Sequence, residues 1–362
     1  MKRFLKRSEI AGRRLLFRLL APGLSAAETI PSIPCGERLD RVLIMRQDRI
    51  GDMIMTLPLL RELRNVHPGL GTAVVASESN GVVLRHEENV EVITCRKSPG
   101  DFMASLLRVR DFAPDAAVDM HMHDSTTSFI YAMASGARWR LHAEGTSRLP
   151  FNVRVDVPRD GHIMDAFTGL LSGLGRDIGL ENPDREPRLS REEMEFAEDF
   201  WAGCDHLPGD CAAVNISAGG SNRYWETGKY VALCREMASM GLRILVVSSP
   251  DDMPRAHEIA SEVDPAVVPP PTPSILHLAA LLRGVMLLVS PDTSVVHLAA
   301  SMGIPVVGMY LPFDPSLPKW YPWRTRHQVL MASDAASVNS IGPVEAGDAV
   351  RRLVAGEMSS GQ

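Results

Sequence analysis

Several residues of this 362-residue sequence have types and spacings that could do chemistry. Asp52 ends the stretch Arg46-Gln47-Asp48-Arg49-Ile50-Gly51-Asp52, between an apolar run and an amphipathic segment, with Gly51 allowing tight backbone at the turn. A carboxylate there can act as a base toward an acceptor hydroxyl; alternatively it only caps a helix starting at Met53. Gly219-Gly220 lets backbone N–H groups approach an anion, and Arg223 offers a charged fork to the same phosphate. The alternative is a flexible turn with an exposed arginine and Trp225 packed on a sheet. In Asp292-Thr293-Ser294, the amides of a helix start could hold a diphosphate, the two hydroxyls could add hydrogen bonds, and Asp292 could grip sugar hydroxyls. His297, one turn further on, either faces that site or is a core histidine bonded to backbone. The run His121-Met122-His123-Asp124 suggests a metal, but two histidines and one carboxylate with no fourth ligand in view fall short of a site.

The elements that must position these residues repeat one unit from Arg41 onward, a short apolar run followed by a segment of helical period, which is the α/β signature. Strands are predicted at 41–45, 72–76, 90–94, 116–120 and 138–142, with helices near 53–66, 101–112, 124–135 and 162–174. After a polar, proline-bearing stretch and an acidic helix starting near Ser190, the alternation restarts. Strands are predicted there at 212–217, 243–249, 266–268, 286–290 and 305–309, with helices at 227–240, 252–263, 274–283 and 294–302. The expected boundary lies between 181 and 210, giving an arm and linker over 1–36, one doubly wound domain over 37–190 and a second over 191–362. Two such domains are expected to face each other across a cleft lined by the carboxyl ends of both sheets.

Composition narrows the class. Hydrophobic residues make up 45% of the chain, enough for a core in each domain. Five scattered cysteines without CxxC spacing indicate neither a disulfide framework nor a zinc site, which suits a reducing compartment. The formal charge is −6, yet residues 1–20 carry seven basic side chains against Glu9, so this segment is +6 and the remainder −12. An acidic body argues against a nucleic-acid partner. On a helical wheel Phe4, Leu5, Ala11, Leu15, Leu16 and Leu19 share one arc and the basic residues the opposite one, while Ile10, Phe17 and Leu20 spoil the polar face. Such a helix suits the interface of an anionic membrane; the alternative is a solvated or domain-packed extension. Arg18 interrupts the apolar stretch a secretory signal would need, and no run is long enough to cross a bilayer.

Asp-Arg-Ile-Gly-Asp followed by Thr-Leu-Pro-Leu-Leu-Arg, Gly-Gly-x-x-Arg-x-Trp before a helix, and Asp-Thr-x-x-x-His-Leu-Ala-Ala-x-x-Gly-x-Pro-Val-Val-Gly occur in order over residues 41–312. Together they resemble the heptosyltransferases, glycosyltransferase family 9. The resemblance implies a GT-B fold, two Rossmann-like domains, with the first holding an acceptor and the second a nucleotide-sugar donor. It implies inverting, metal-independent transfer of a sugar, a heptose in the family, from an ADP-activated donor to the lipid A–Kdo core of lipopolysaccharide. No cofactor is expected. By position Asp52 matches the proposed base, Arg223 the basic group at the donor phosphates, Asp292 the acid at the donor sugar, and Thr293 and Ser294 the phosphate-binding turn. Arg49, Gly51, Gly219, Gly220 and His297 complete the expected substrate-binding set. The chain departs from the family in having Ser294 for the usual Gly, Arg223 for the usual Lys, and Asp119-Met120-His121-Met122 where the family has Asp-Leu-Gln-Gly. The expected location is the cytoplasm, on the inner face of the cytoplasmic membrane. A GT-B sugar-nucleotide epimerase and a non-catalytic nucleotide-sugar-binding protein are the rival readings.

Overall fold

A computed structural model describes residues 29–96, 98–144, 150–204, 210–312 and 319–356. They form two units, one comprising the chain up to Arg49 together with Pro58–Asp184, the other Ile50–Leu57 together with Arg185–Gln362. The basic arm read over residues 1–20 lies outside the described residues.

The first unit holds β1 (Arg41–Met45), β2 (Gly71–Ser77), β3 (Val90–Cys95), β4 (Ala116–Asp119), β5 (Trp139–Ala143) and β6 (Val153–Val155). They lie in the order β3-β2-β1-β4-β5-β6, every neighbouring pair parallel. Helices α1 (Ile50–Val66), α2 (Pro99–Phe112), α3 (Thr126–Ala134) and α4 (Ile163–Ser172) follow β1, β3, β4 and β6; α1 begins in the second unit and ends in the first. In the second unit α5 (Arg191–Ala202) precedes β7 (Cys211–Asn215), α6 (Thr227–Ser239), β8 (Arg243–Val247), α7 (Met253–Ser261), β9 (Ala266–Val267) and α8 (Ile275–Leu282). Then come β10 (Val285–Pro291), α9 (Ser294–Ser301), β11 (Val306–Tyr310), β12 (His327–Met331) and α10 (Pro343–Val354). Its all-parallel order is β12-β11-β10-β7-β8-β9. Counted from the first strand of each unit, both sheets have the doubly wound order 3-2-1-4-5-6.

The reason lies in the strands. Val42 to Met45, Ala73 to Ala76, Ala212 to Val214 and Leu287 to Val289 are buried on both faces, which only a parallel sheet with helices on each side provides. Two separate cores result. Leu43, Val75, Ile93 and Tyr131 help to fill the first, and Val214, Trp225, Tyr230 and Val289 the second. Local signals agree with the packing: Ser190 and Glu193 form a reciprocal capping box that starts α5 where the acidic helix was expected.

The structure differs from the expectation in four places. Helix α1 starts at Ile50, three residues early, so Asp52 lies inside its first turn and is not the cap of a helix starting at Met53. The strand expected over 286–290 runs on to Pro291, its last residue, paired with Met309, and the next N–H, of Asp292, makes the bond to the Met309 carbonyl. The end of the stretch read as a linker is bonded into the first unit: Ile30 pairs with Val153, and buried Ile33 donates its N–H to the Gly173 carbonyl. Finally, β6, β12 and α10 were not foreseen. Two of them are short outer strands, and α10 carries Gly347 and four charged residues among its apolar positions.

Candidate active site

In a doubly wound sheet the loops diverge between strands 1 and 4, and ligands bind at the carboxyl ends of those strands. In the second unit these are β7 and β10. Asn215, the last residue of β7, donates from Nδ2 to Ser290 Oγ (2.9 Å) and Thr293 Oγ1 (3.2 Å), bridging the two strand ends. Thr293 caps α9, its Oγ1 accepting from the Val295 N–H at 3.3 Å, which places Ser294 at the first helical position with its N–H directed out of the helix start.

Arg223 closes the same site from the β7 loop. Its Nη2 lies 3.1 Å from Asp292 Oδ2, and Nη1 donates to the Asp292 carbonyl at 3.2 Å. The pair is only partly buried, 28% and 17% exposed, so a competing anion and a hydroxyl-bearing sugar could reach both partners. Gly220 is extended at φ −169°, and a Cβ at Gly219 would meet nothing within 4 Å. Gly219 therefore leaves open space, whereas a Cβ at Gly220 would lie 3.2 Å from Asn222 Oδ1, and neither glycine has the positive φ that would make it relieve strain. The loop is held from behind: the Trp225 indole donates to the Ile341 carbonyl (3.0 Å), Tyr224 and Ser249 hydroxyls donate to Asp252 Oδ2 (both 3.0 Å), and Arg255 bonds Thr227 Oγ1 (2.9 Å). Below, burial, reinforced by Asp292 and Tyr321, holds the Tyr310 phenol well above its ordinary pKa, so it stays neutral.

His297 is buried on α9, its ring edge-on to Trp320 with centroids 6.1 Å apart. The early residues of α1, which belong to this unit, run against it. A Cβ added at Gly51 would lie 2.7 Å from His297 Cδ2 and 3.4 Å from Ser294 Cα. Glycine at 51 is thus a close-approach residue, and Gly51, Ser294 and His297 are brought together. Asp52, one residue on, is 7% exposed in the positive first turn of α1.

In the first unit the carboxyl ends of β1 and β4 carry a polar cluster that motif reading only grazed. Arg46, at 1% exposure, donates from Nη1 to the Met120 carbonyl (2.9 Å) and to Asp48 Oδ2 (3.2 Å), with its guanidinium carbon 4.3 Å from the Phe167 ring centre. Asn80 donates to the Arg46 carbonyl at 2.8 Å. Fully buried Asp119 holds His121 Nδ1 at 2.6 Å, and His142 Nδ1 lies 3.8 Å from its other oxygen. His121 and His123 meet edge to face, but among the described residues no three His, Cys, Asp or Glu side chains are arranged to hold a metal ion. The signal for this cluster was a set of polar residues ending apolar strands; which of them meet depends on strand order. A recess of about 670 Å3 between Arg61, Gly71, Glu87 and Phe112 lies at the other end of the sheet and contains none of these residues.

Residues 108–340 match the family model for glycosyltransferase family 9 (heptosyltransferase). Lipopolysaccharide heptosyltransferase 1 of Salmonella typhimurium is 24% identical over 300 residues, 76% of this chain and 90% of that protein. A family 9 glycosyl transferase from Veillonella parvula superposes with a TM-score of 0.74 at 17% identity, over 88% of this chain and 98% of that one. Escherichia coli heptosyltransferase WaaC with ADP gives 0.66 at 20% identity, over 87% and 97%. Two parallel α/β units of this topology are those of the GT-B fold, and the chain belongs to glycosyltransferase family 9, the heptosyltransferases.

Proposed function

We propose that this glycosyltransferase moves a heptose from an ADP-heptose-type donor to a lipopolysaccharide-core acceptor, with inversion and without a metal. The observation that carries the reading is the Arg223–Asp292 pair beside the start of α9, set at the switch point of the second sheet. A diphosphate exchanges with Asp292 for the Arg223 guanidinium and takes the Ser294 amide and the Thr293 and Ser294 hydroxyls. Asp292, once exchanged, is available to the sugar hydroxyls. Gly219 leaves room for the phosphates, with Gly220 extended next to it, and His297 with Gly51 shapes the end of the site nearest α1. Names of relatives support the substrate class: one is a lipopolysaccharide heptosyltransferase and another was seen with ADP-2-deoxy-2-fluoro heptose.

In the reaction the acceptor oxygen bonds to the anomeric carbon as the bond from that carbon to the diphosphate breaks. Asp52 takes the acceptor proton; Arg49, near it in sequence, contacts the acceptor. Negative charge building on the diphosphate is met by Arg223, the helix-start amides and the two hydroxyls, preorganised before the step. On this reading the first unit holds the acceptor, and the second holds the donor together with Asp52, whose turn of α1 belongs to it. The test is to incubate the purified full chain with ADP-heptose and a Kdo–lipid A acceptor, following ADP release and product mass. Transfer that survives a chelator and yields the inverted linkage supports the reading; complete inhibition restored by metal overturns its metal-free part. ADP-heptose turnover without acceptor would favour an epimerase.

The enzyme is further proposed to work in the cytoplasm, peripherally on the anionic inner face of the cytoplasmic membrane, held by residues 1–20. No helix among the described residues is long and apolar enough to cross a membrane. Because Ile30 and Ile33 are part of the first unit, the informative deletion removes residues 1–28 and leaves those two in place. It should abolish salt-sensitive co-sedimentation with anionic vesicles while leaving transfer to a soluble acceptor analogue unchanged. Equal sedimentation of both proteins would refute the anchor.

A further inference from the structure

The HxHD run was singled out for a metal that its geometry does not favour, and its first histidine is buried for another purpose. His121 stands between two carboxylates: Nδ1 is 2.6 Å from Asp119 Oδ1, and Nε2 is 3.6 Å from Asp48 Oδ2. Asp119 ends β4, whereas Asp48 belongs to the loop after β1, so the ring links the sheet to that loop. A second link runs in parallel, since Gln47 Nε2 donates to Ser128 Oγ (2.9 Å), which in turn lies 3.1 Å from His121 Nδ1. Arg46 completes the row by donating to the Asp48 oxygen that faces His121.

We infer that His121 is a positioning residue for the transfer: bridging buried Asp119 and loop Asp48, it sets residues 46–49, from which α1 and Asp52 directly start. This rests on the reading of Asp52 as the base. Only the imidazolium satisfies both neighbours, because a neutral ring that donates from Nδ1 to Asp119 turns a lone pair toward Asp48. The charged groups around it favour that form. Burial works against the charge, but the Asp119 carboxylate, through charge and hydrogen bond, and Asp48 outweigh it and raise the His121 pKa, with Arg46 opposing. His142 faces Asp119 from β5, and His123 flanks on the same loop.

The experiment uses the full chain with His121→Gln, which retains a donor toward Asp119 but loses the charge facing Asp48, and with Asp48→Asn. His121→Gln should lower kcat roughly ten- to hundredfold, the cost of slight misplacement of a reacting group, while ADP affinity stays within twofold. Wild-type kcat should fall on the alkaline side as His121 deprotonates, and His121→Gln should remove that fall. Asp48→Asn should lower kcat comparably and move the His121 ring-proton NMR titration to lower pH. Wild-type kcat in His121→Gln, or a loss of equal size at every pH, overturns the inference. Should His121→Gln not fold, Asp48→Asn decides alone, and an unmoved His121 titration with unchanged kcat refutes it. The titration needs no substrate, so a chain that fails to transfer any ADP-sugar refutes the proposed function separately from the Asp48–His121 coupling.

Discussion

The two sheets share one strand order, and each gathers polar side chains at the same place, yet they use them differently. At the switch point of the first, Arg46, Asp119, His121 and His142 are at most 4% exposed and answer one another's charges. At the switch point of the second, Arg223 and Asp292 pair within reach of solvent. Buried charges are tolerable only when paired and hydrogen-bonded, and once paired they resist exchange. A pair within reach of solvent contributes less to the fold and can be traded for a ligand. The first cluster therefore suits the holding of a loop, and the second suits the binding of an anion that comes and goes.

The largest effect expected concerns Asp52, in the first turn of the helix that follows the loop held by the first cluster. Asp52→Asn should reduce kcat by roughly 10²- to 10⁴-fold, the range for a general base, with ADP affinity by calorimetry changed no more than a few fold. Near-normal turnover would remove Asp52 from the chemistry.

Stability should separate the two clusters next. Asp119→Ala strands the charge of His121 in the interior and should cost about 3–5 kcal/mol in chemical denaturation. Arg223→Ala should cost less, about 1 kcal/mol, because this pair stays in reach of solvent. Similar losses in both would erase the distinction between a sealed and an exchangeable site.

Affinity should reverse that order. Arg223→Ala should weaken ADP binding by about 1.5–3 kcal/mol, the range for hydrogen bonds to a charged group, and Arg223→Lys by less, since an ammonium keeps the charge and loses the fork. Unaltered affinity for ADP would return Arg223 to a purely local pairing with Asp292.

The smallest effect is a pH dependence confined to the sealed cluster. His121 has a raised pKa, so its contribution to stability is complete below the ordinary value of 6.5 and is lost as pH rises through the raised one. Asp119 is the opposite case: burial pushes its pKa up, but His142 and His121 outweigh this and lower it, so its contribution is present above the ordinary 3.8 and lost as pH falls through the lowered value. The melting temperature should decline above pH 6.5 in wild type and decline less in His121→Gln. Parallel curves would show that His121 carries no net charge in the fold.

How far the sequence reached can be read from single residues. The runs at Val42, Val74, Val214 and Leu288 announced their strands because each is buried on both faces, so every position had to be apolar. Outer strands such as β12 need apolar residues only at alternate positions, and its pattern with Gln328 buried and Met331 exposed imitates a loop. Asp292, Thr293 and Arg223 were legible because loop-to-helix turns have local signatures. Asn215 and Arg46 were not, since a polar residue ending a strand shows no partner until the neighbouring strand is known.

By itself, the sequence determined two α/β halves, the three loops of the family and the places where a base and an anion site could stand, all of which follow from periodicity and short spacing. Only the tertiary structure decided that β1 lies beside β4 and β7 beside β10, 74 and 75 residues apart at the Arg46–Met120 and Asn215–Ser290 contacts. That adjacency placed His121 between Asp119 and Asp48 and joined Arg223 to Asp292. Charge pairing depends on distance in space, and local sequence carries no record of it.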